Sequence, residues 1–441
     1  MRQNHEKQLP LSPLWPDHQL SEELRVISKI LDETPQISSL VLQDLCDTVS
    51  PKRGALGMSG EQVLRCAVLK KITRCSYQQL AFHLVDSLSF RSFCRLPYDA
   101  APARSTLQEN ISRIRSSTWQ AINQQLVSWA QQKGLEKGRK VRIDATVVES
   151  DIHYPLDSRL LYDSVRVTTR ILEQIAEREK IYFHNHCRRA KRRCTNIHNS
   201  RGLKRKKYYA DLIRVTRKTR SYAEQVISYS KRNRDPIAQA WVDELKHWAH
   251  LMDQVIEQSY RRVILGEAVP VDEKIVSIFE EHTDIICKGG RDTLFGHKIF
   301  LTCGKSSLML DCLLTRGNPA DQSLACRMLH RQQKLFDRYP RQASFDGGFA
   351  TAHNLEWAKK QGVQDVVFAK KAGLTIENMA RSSWVYQQLR RFRAGIEGCI
   401  STLKRVFGLR RCLWKGWDHF QRYVHASIVS YNLVVLARLL L

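Results

Sequence analysis

Residues 383–408 read SWVYQQLRRFRAGIEGCISTLKRVFG, and two stripes run along this stretch at helical spacing. The first stripe is apolar and recurs every three or four residues: Leu389, Phe392, Ile396, Ile400, Leu403 and Phe407. The second stripe is charged: Arg390, Arg393, Glu397 and Lys404. Side chains three, four and seven residues apart share one face of a helix. The pattern therefore predicts an amphipathic helix with Glu397 at the margin of its buried face.

Two glycines, Gly395 and Gly398, flank this carboxylate. A glycine inside a helix costs roughly 1 kcal/mol relative to alanine. Small size should therefore bring a compensating gain, such as the close approach of another backbone or of a bulky ligand. The simpler interpretation is an ordinary surface helix with an Arg393–Glu397 ion pair one turn apart.

Two further acidic residues weigh against the simpler interpretation. Asp144 in VRIDATVVES and Asp346 in QASFDGGFA each follow a short run that is typical of a buried strand. Residues at strand ends of an open sheet meet in one crevice, so these two should lie together. A carboxylate placed there loses hydration unless a cation or a hydrogen bond meets it. With Glu397 they would make a set of oxygen ligands that suits divalent metal ions, Mg²⁺ above all.

With these residues the chain resembles a DDE transposase of a bacterial insertion sequence, most like the ISNCY group. In neighbouring families a tyrosine stands three residues before the motif arginine. Here that position is Arg390, so no tyrosine role is carried over. The likeness covers most of residues 58–430. The matching residues are Asp144, Asp346 in DGGF, and Arg393, Glu397 and Lys404 in the pattern R-x3-E-x6-K.

The resemblance implies an α/β RNase H-like catalytic core, in which helices flank a mixed sheet. It implies that Asp144, Asp346 and Glu397 are catalytic and bind two Mg²⁺ ions, for which Mn²⁺ can substitute. In the family's reaction, water frees a 3′-hydroxyl at the element end, and that hydroxyl attacks target DNA. Arg393 and Lys404 would hold phosphate oxygens or orient the glutamate. The implied partners are double-stranded DNA, as terminal inverted repeats and target, and further copies of the chain assembled on that DNA.

The composition favours a nucleic acid as the partner. The 441 residues carry a formal net charge of +27, from 71 Lys and Arg against 44 Asp and Glu. RNA-binding and ribosomal proteins share such an excess, so charge alone does not choose DNA. The twelve cysteines form no CxxC pair, which predicts a reduced, cytoplasmic protein. The first residues lack an apolar core, so no signal peptide is expected. When bound to DNA, the protein would be associated with the nucleoid. The apolar C-terminal end is broken by Asn432 and Arg438, so we expect a buried helix there and no membrane span.

Three parts are expected along the chain. Residues 1–57 form a lead-in. Residues 58–135 read as helices joined by tight turns with basic residues between them, which resembles a helix-turn-helix DNA-binding domain; a small helical bundle is the alternative. Residues 139–441 form the catalytic domain, interrupted by a basic helical insertion at about 157–264. An insertion is expected because a plain RNase H-like core needs far fewer residues between its two aspartates.

Inside the predicted insertion, a dense basic run is interleaved with aromatic residues. We expect it to contact DNA phosphates, with a solvated helical face or a disordered arm as the alternative. The residues expected to bind DNA there are Arg188, Arg189, Arg192 and Arg193.

Two other functions account for part of the sequence. An RNase H-like nuclease, such as a junction resolvase, would use similar acids without joining a 3′ end to a new strand. A non-catalytic DNA-binding protein derived from a transposase would keep the positive charge but would not need all three acids. The presence of Asp144, Asp346 and Glu397 together favours an active transposase.

Overall fold

The computed structural model describes residues 4, 18–47, 56–97, 100–230, 236–288, 292–370 and 372–441, so part of the lead-in lies outside the described residues. The chain divides into two compact units. One unit combines Met1–Ser150 with Gly296–Leu441, and the other is Asp151–Phe295.

Helices fill the N-terminal part of the first unit: α1 (Gln19–Glu33), α2 (Gln36–Leu45), α3 (Gly60–Thr73), α4 (Tyr77–Asp86), α5 (Leu88–Cys94), α6 (Arg104–Arg113) and α7 (Ser116–Gln132). Two of them begin at serines that form capping boxes. The Ser59 hydroxyl accepts the N–H of Gln62, whose side chain accepts the N–H of Ser59, and Ser76 and Gln79 repeat the arrangement. Serines in this sequence context therefore mark where α3 and α4 start.

A mixed sheet forms the other part of the first unit, with strand order β4-β3-β1-β5-β6. The strand β1 pairs parallel with β5 and antiparallel with β3, and β6 is parallel to β5. The short β7 pairs with β1. The strands are β1 (Lys140–Ser150), β3 (Asp292–Cys303, whose residues from Gly296 belong to this unit), β4 (Met309–Leu314), β5 (Gln342–Phe345), β6 (Asp365–Phe368) and β7 (Arg411–Cys412); β2 (Asp284–Lys288) lies in the second unit.

Helices flank this sheet, as predicted: α12 (Ala325–Phe336), α13 (Ala352–Lys360), α14 (Ile376–Met379), α15 (Ser383–Arg405) and α16 (Trp417–Leu440). The stretch quoted at the outset forms α15. Leu389, Ile396 and Leu403 from its apolar stripe are buried, and Phe392 and Ile400 pack against the same core. The mixed sheet of an RNase H-like core is thereby confirmed, with its first and fourth strands, β1 and β5, side by side.

The terminal helix α16 is long and apolar enough to cross a membrane, the one such helix among the described residues. Its most apolar window is 78% buried inside the protein. The side chain of Lys71 donates to the carbonyl of Tyr423 and to the hydroxyl of Ser427, and Asn432 binds the backbone of Met309. Burial and internal hydrogen bonds of this kind agree with the predicted core helix.

A buried histidine on α16 makes the stability of this unit depend on pH. Burial lowers the pKa of His425 to about 4, and its ring lies 2.8 Å from the amide nitrogen of Gln120. The unfolded chain therefore binds more protons than the folded one between this value and the ordinary pKa of about 6.5. We expect His425 by itself to contribute a loss of about 3 kcal/mol in stability as pH falls through this window. Denaturant unfolding across the window should show a smaller loss for His425→Gln, and an equal loss in both proteins would contradict the assignment.

The second unit, Asp151–Phe295, has its own aliphatic core, which includes Leu161, Leu172, Leu212 and Met252. The predicted helical insertion at about 157–264 falls within this unit. Its helices are α8 (Asp157–Glu179), α9 (Cys187–His198), α10 (Gly202–Ser230) and α11 (Pro236–Ser259), followed by a π-helical turn at Tyr260–Leu265.

Candidate active site

The register between β1 and β5 brings two of the acidic residues together. The strands are parallel and Ile143 pairs with Phe345, so Asp144 and Asp346 are the next residues on neighbouring strands. Asp346 directly follows β5, as predicted. The prediction that Asp144 also stands at a strand end is wrong: β1 continues to Ser150, because β3 pairs along the strand on its other side.

The helix α15 is attached to the sheet through hydrogen bonds to its own carbonyl groups. Arg142 on β1 is buried and donates from Nη1 to the carbonyl oxygen of Phe392 at 3.0 Å. Ser344 on β5 donates from Oγ to the carbonyl oxygen of Leu389 at 2.8 Å. These carbonyls lie one and four residues before Arg393, so the bonds fix the turn that carries Arg393 and leads into Glu397.

The two glycines beside Glu397 have different surroundings. A Cβ at Gly395 would lie 2.0 Å from Nη1 of Arg142, so only glycine lets the guanidinium reach the helix backbone. The close approach predicted from the sequence is therefore present, and a side chain makes it. At Gly398 a Cβ would meet no described atom within 4 Å. Protein packing thus explains the first glycine and leaves the second facing open space.

Arg393 lies among the three acidic side chains. Its Nη1 is 2.6 Å from Oδ1 of Asp346 and 3.8 Å from Oδ2 of Asp144, and its Nη2 contacts Oε1 of Glu397. The side chains of Arg393 and Asp144 are both 14% exposed, against 62% for Glu397. The structure therefore brings the three predicted acids and the predicted arginine into one cluster that is open on the glutamate side.

The pKa of Asp144 is raised to about 6. Burial is the largest cause, and the negative charge of Asp346 adds to it. The N–H of Ala145, 2.7 Å from Oδ1, and the charge of Arg393 act in the opposite direction. The cluster thus sets three carboxylates against one cation and carries an excess of negative charge.

Lys404 lies on the same helix, seven residues after Glu397 and partly buried. The helical rise of 1.5 Å per residue places it about 10.5 Å along the axis from the glutamate. It therefore lies outside the cluster.

The four arginines predicted to bind DNA divide into two pairs on α9 in the second unit. Arg189 donates from Nη2 to Asp211 at 2.6 Å, and Arg193 contacts the other oxygen of the same carboxylate. Burial favours the neutral form of Asp211, but the two arginines outweigh this and lower its pKa. Arg188 and Arg192 are exposed and pair with no described carboxylate. The two pairs therefore differ in how much of their charge remains for a ligand.

Two family models match the chain. The Transposase DDE domain matches residues 266–433, which include Asp346 and Glu397 but not Asp144. A second transposase domain, DUF772, matches residues 14–113 in the N-terminal helices. The chain belongs to the DDE transposases of insertion sequences. It is therefore a DNA-cleaving enzyme of transposition, while the narrower placement in the ISNCY group stays a prediction. Comparisons with curated proteins and with solved structures gave no match.

DDE transposases generally use divalent metal ions, and the donors in this transposase have the right chemistry. Three carboxylates converge on a single positive charge, and carboxylate oxygens are the ligands that hard divalent cations prefer. As the side chains stand, however, no group of three His, Cys, Asp or Glu among the described residues is placed to hold an ion. Arg393 lies among these three acids instead.

Sequence reasoning missed two residues that build the site of the transposase. Arg142 and Ser344 carry no part of the family pattern, yet their hydrogen bonds position α15. The sequence did indicate that Arg142 has an unusual environment, because it stands between Val141 and Ile143 in a predicted strand, and both of these are buried. A charged residue inside a buried strand needs partners, but the sequence does not say that a helix carbonyl is one of them.

Proposed function

We propose that Asp144, Asp346 and Glu397 are the catalytic carboxylates of this transposase and the ligands of two Mg²⁺ ions, for which Mn²⁺ can substitute. The observation that carries the proposal is the convergence of all three side chains on Arg393. Metal ions held there would supply the charge that activates an attacking oxygen and stabilises a leaving one.

The residues around the carboxylates would position the DNA strand. Arg393 presents two N–H edges that match a phosphate in bidentate fashion, and Lys404 offers a point charge farther along the helix. In the proposed reaction, water cleaves the element end and leaves a 3′-hydroxyl. That hydroxyl then attacks a phosphate of the target DNA, which joins the element end to the 5′ side of the target strand and releases a 3′-hydroxyl of that strand. No covalent intermediate between protein and DNA is required.

The proposed DNA contacts extend beyond the cluster. Residues 58–135 would form the helical domain that recognises the terminal inverted repeats, and residues 139–441 the catalytic domain with its insertion. The exposed arginines Arg188 and Arg192 would contact the DNA backbone. We further propose that the transposase acts in the bacterial cytoplasm and assembles as a homo-oligomer on DNA.

A joining assay tests the proposal. A labelled duplex that carries the element end is incubated with the transposase, Mg²⁺ and an unlabelled target plasmid. Label transferred to the plasmid supports strand transfer. Cleavage without transfer would favour an RNase H-like nuclease or resolvase, and binding without cleavage would favour a non-catalytic DNA-binding protein.

For α9, we expect the two arginine pairs to behave differently. The double variant Arg188→Gln, Arg192→Gln should weaken binding to duplexes of any sequence. It should also reduce the slope of log affinity against log salt concentration by the equivalent of about two phosphate contacts, because each neutralised phosphate releases counterions. The matched pair Arg189→Gln with Arg193→Gln should change the salt dependence less, since Asp211 already offsets these charges. Fluorescence anisotropy across a salt series measures both. Loss of affinity for the element end alone would assign the exposed pair to sequence recognition instead.

For Lys404, we expect the alanine variant to reduce single-turnover cleavage of a pre-bound element end by about tenfold, the loss of one charged contact in the transition state. Lys404→Arg should recover part of the rate because the positive charge remains. The rate should be followed across a salt series, with the melting temperature as a check on folding. Wild-type rates for Lys404→Ala at every salt concentration would remove this residue from the site.

A further inference from the structure

The guanidinium of Arg393 lies among the three carboxylates that are proposed as metal ligands. One of its nitrogens lies near both aspartates and the other contacts Glu397, so one oxygen of each carboxylate is at the guanidinium. Arginine stays protonated in proteins. The side chain therefore cannot give up these contacts by losing its charge, and must move away to release them.

We propose that Arg393 competes with metal ions for the three carboxylates and that a DNA phosphate relieves this competition. This inference rests on the proposed function, in which Asp144, Asp346 and Glu397 are the metal ligands. A guanidinium and a divalent cation repel each other, and Arg393 neutralises part of the negative charge that would attract an ion to these carboxylates. Metal therefore binds weakly until Arg393 has another anionic partner.

The DNA backbone supplies such a partner. A phosphate accepts both N–H edges of a guanidinium and matches it as well as a carboxylate does. Arg393 can exchange one for the other by rotating its own side chain, because α15 is held separately by Arg142 and Ser344. The glutamate side of the cluster is the open side, with Glu397 62% exposed and no described atom over Gly398. A DNA strand arriving on this side would meet the exposed glutamate side of the cluster.

The consequence is a positive coupling between metal and DNA. By thermodynamic linkage, DNA raises the affinity for metal by the same factor as metal raises the affinity for DNA. The transposase would then assemble its metal site chiefly on bound DNA. Arg393 acts here as a positioning residue: when it binds a DNA phosphate, it releases the carboxylates for metal binding.

Mn²⁺ binding tests the coupling without relying on cleavage. Free Mn²⁺ is measured by electron paramagnetic resonance for the full-length wild type, Arg393→Ala, and the matched control Arg391→Ala, which removes an exposed charge on the same helix. Without DNA, Arg393→Ala should bind Mn²⁺ about tenfold more tightly or better, the range of charge-assisted contacts. Arg391→Ala should bind as the wild type does, and Arg393→Lys, which keeps the charge, should lie between.

The second arm of the experiment adds a DNA duplex that carries the element end. The sequence of this end is taken from the DNA that flanks the gene. The Mn²⁺ bound by the duplex alone is measured separately and subtracted. DNA should raise the Mn²⁺ affinity of the wild type but not that of Arg393→Ala. Fluorescence anisotropy should show that Mn²⁺ raises the DNA affinity of the wild type by the same factor. If Arg393→Ala does not fold, the wild-type and Arg393→Lys arms decide. One outcome would overturn the coupling alone: Glu397→Gln lowers the Mn²⁺ affinity, but neither the Arg393 variants nor DNA change it. Mn²⁺ binding that Glu397→Gln leaves unaltered would overturn the ligand assignment and the coupling with it.

Discussion

Replacing any one of Asp144, Asp346 and Glu397 by its amide should reduce end cleavage about a thousandfold or more and leave DNA binding largely intact. Each amide keeps the shape of the side chain but removes the negative charge that a metal ion requires. Metal ions contribute several kcal/mol to transition-state stabilisation, which corresponds to a loss of this size. Single-turnover cleavage in Mg²⁺ measures the rate, and anisotropy with the same duplex measures binding.

The stability of Asp144→Asn separates a catalytic role from a structural one. Burial and the nearby charge of Asp346 raise the pKa of Asp144, so its ionised form is disfavoured in the folded protein. Removing that charge should leave the melting temperature unchanged or higher, although cleavage is lost. Glu149→Gln on the same strand is the matched control, because Glu149 pairs with Arg411 outside the cluster. Near-normal cleavage by any of the three amide variants would exclude that residue from catalysis.

Exchanging Gly395 for alanine should impair the site through Arg142. The new methyl group would overlap Nη1 of Arg142, whose buried side chain also donates from Nη2 to Ser307 Oγ at 3.0 Å. Moving the guanidinium leaves buried partners unsatisfied, at about 1–3 kcal/mol, and this outweighs the gain in helix propensity of about 1 kcal/mol. We expect a net loss of up to about 2 kcal/mol in stability. Displacement of the turn that carries Arg393 and Glu397 should lower cleavage about a hundredfold.

The neighbouring glycine provides the control for this variant. Gly398→Ala makes the same chemical change three residues later on α15, where no described atom is near. It should therefore stabilise the protein by up to about 1 kcal/mol. In an Arg142→Ala background, Gly395→Ala should likewise become neutral or stabilising, because the group it would strike is gone. Denaturant unfolding of the wild type, Gly395→Ala, Arg142→Ala and the double variant gives the coupling energy between the two positions. Equal effects of Gly395→Ala and Gly398→Ala on the wild-type protein would contradict the role given to Arg142.

Local patterns in the sequence predicted much of the secondary structure and the identity of the acids. The apolar spacing of residues 389–403 places one face of α15 in the core, since a helix repeats every three to four residues whatever surrounds it. Capping serines mark the starts of α3 and α4 for a similar reason, because the bonds span only three residues. Asp144, which was expected at a strand end, lies inside β1, because β3 pairs with this strand as far as Glu149.

Only the tertiary structure decided how the functional residues meet. The register of β1 against β5 sets Asp144 beside Asp346 across a long stretch of chain. The contact of Arg142 with the backbone of α15 explains Gly395 and sets the turn of Arg393 and Glu397. The pairing of Arg189 and Arg193 with one aspartate distinguishes them from their neighbours in the same basic run. Such contacts join residues far apart in the chain, whose separation carries no periodic signal. The sequence by itself therefore determined the local elements and pointed to the candidate acids, whereas long-range packing determined which charges are offset, which stay exposed, and why Gly395 must be glycine.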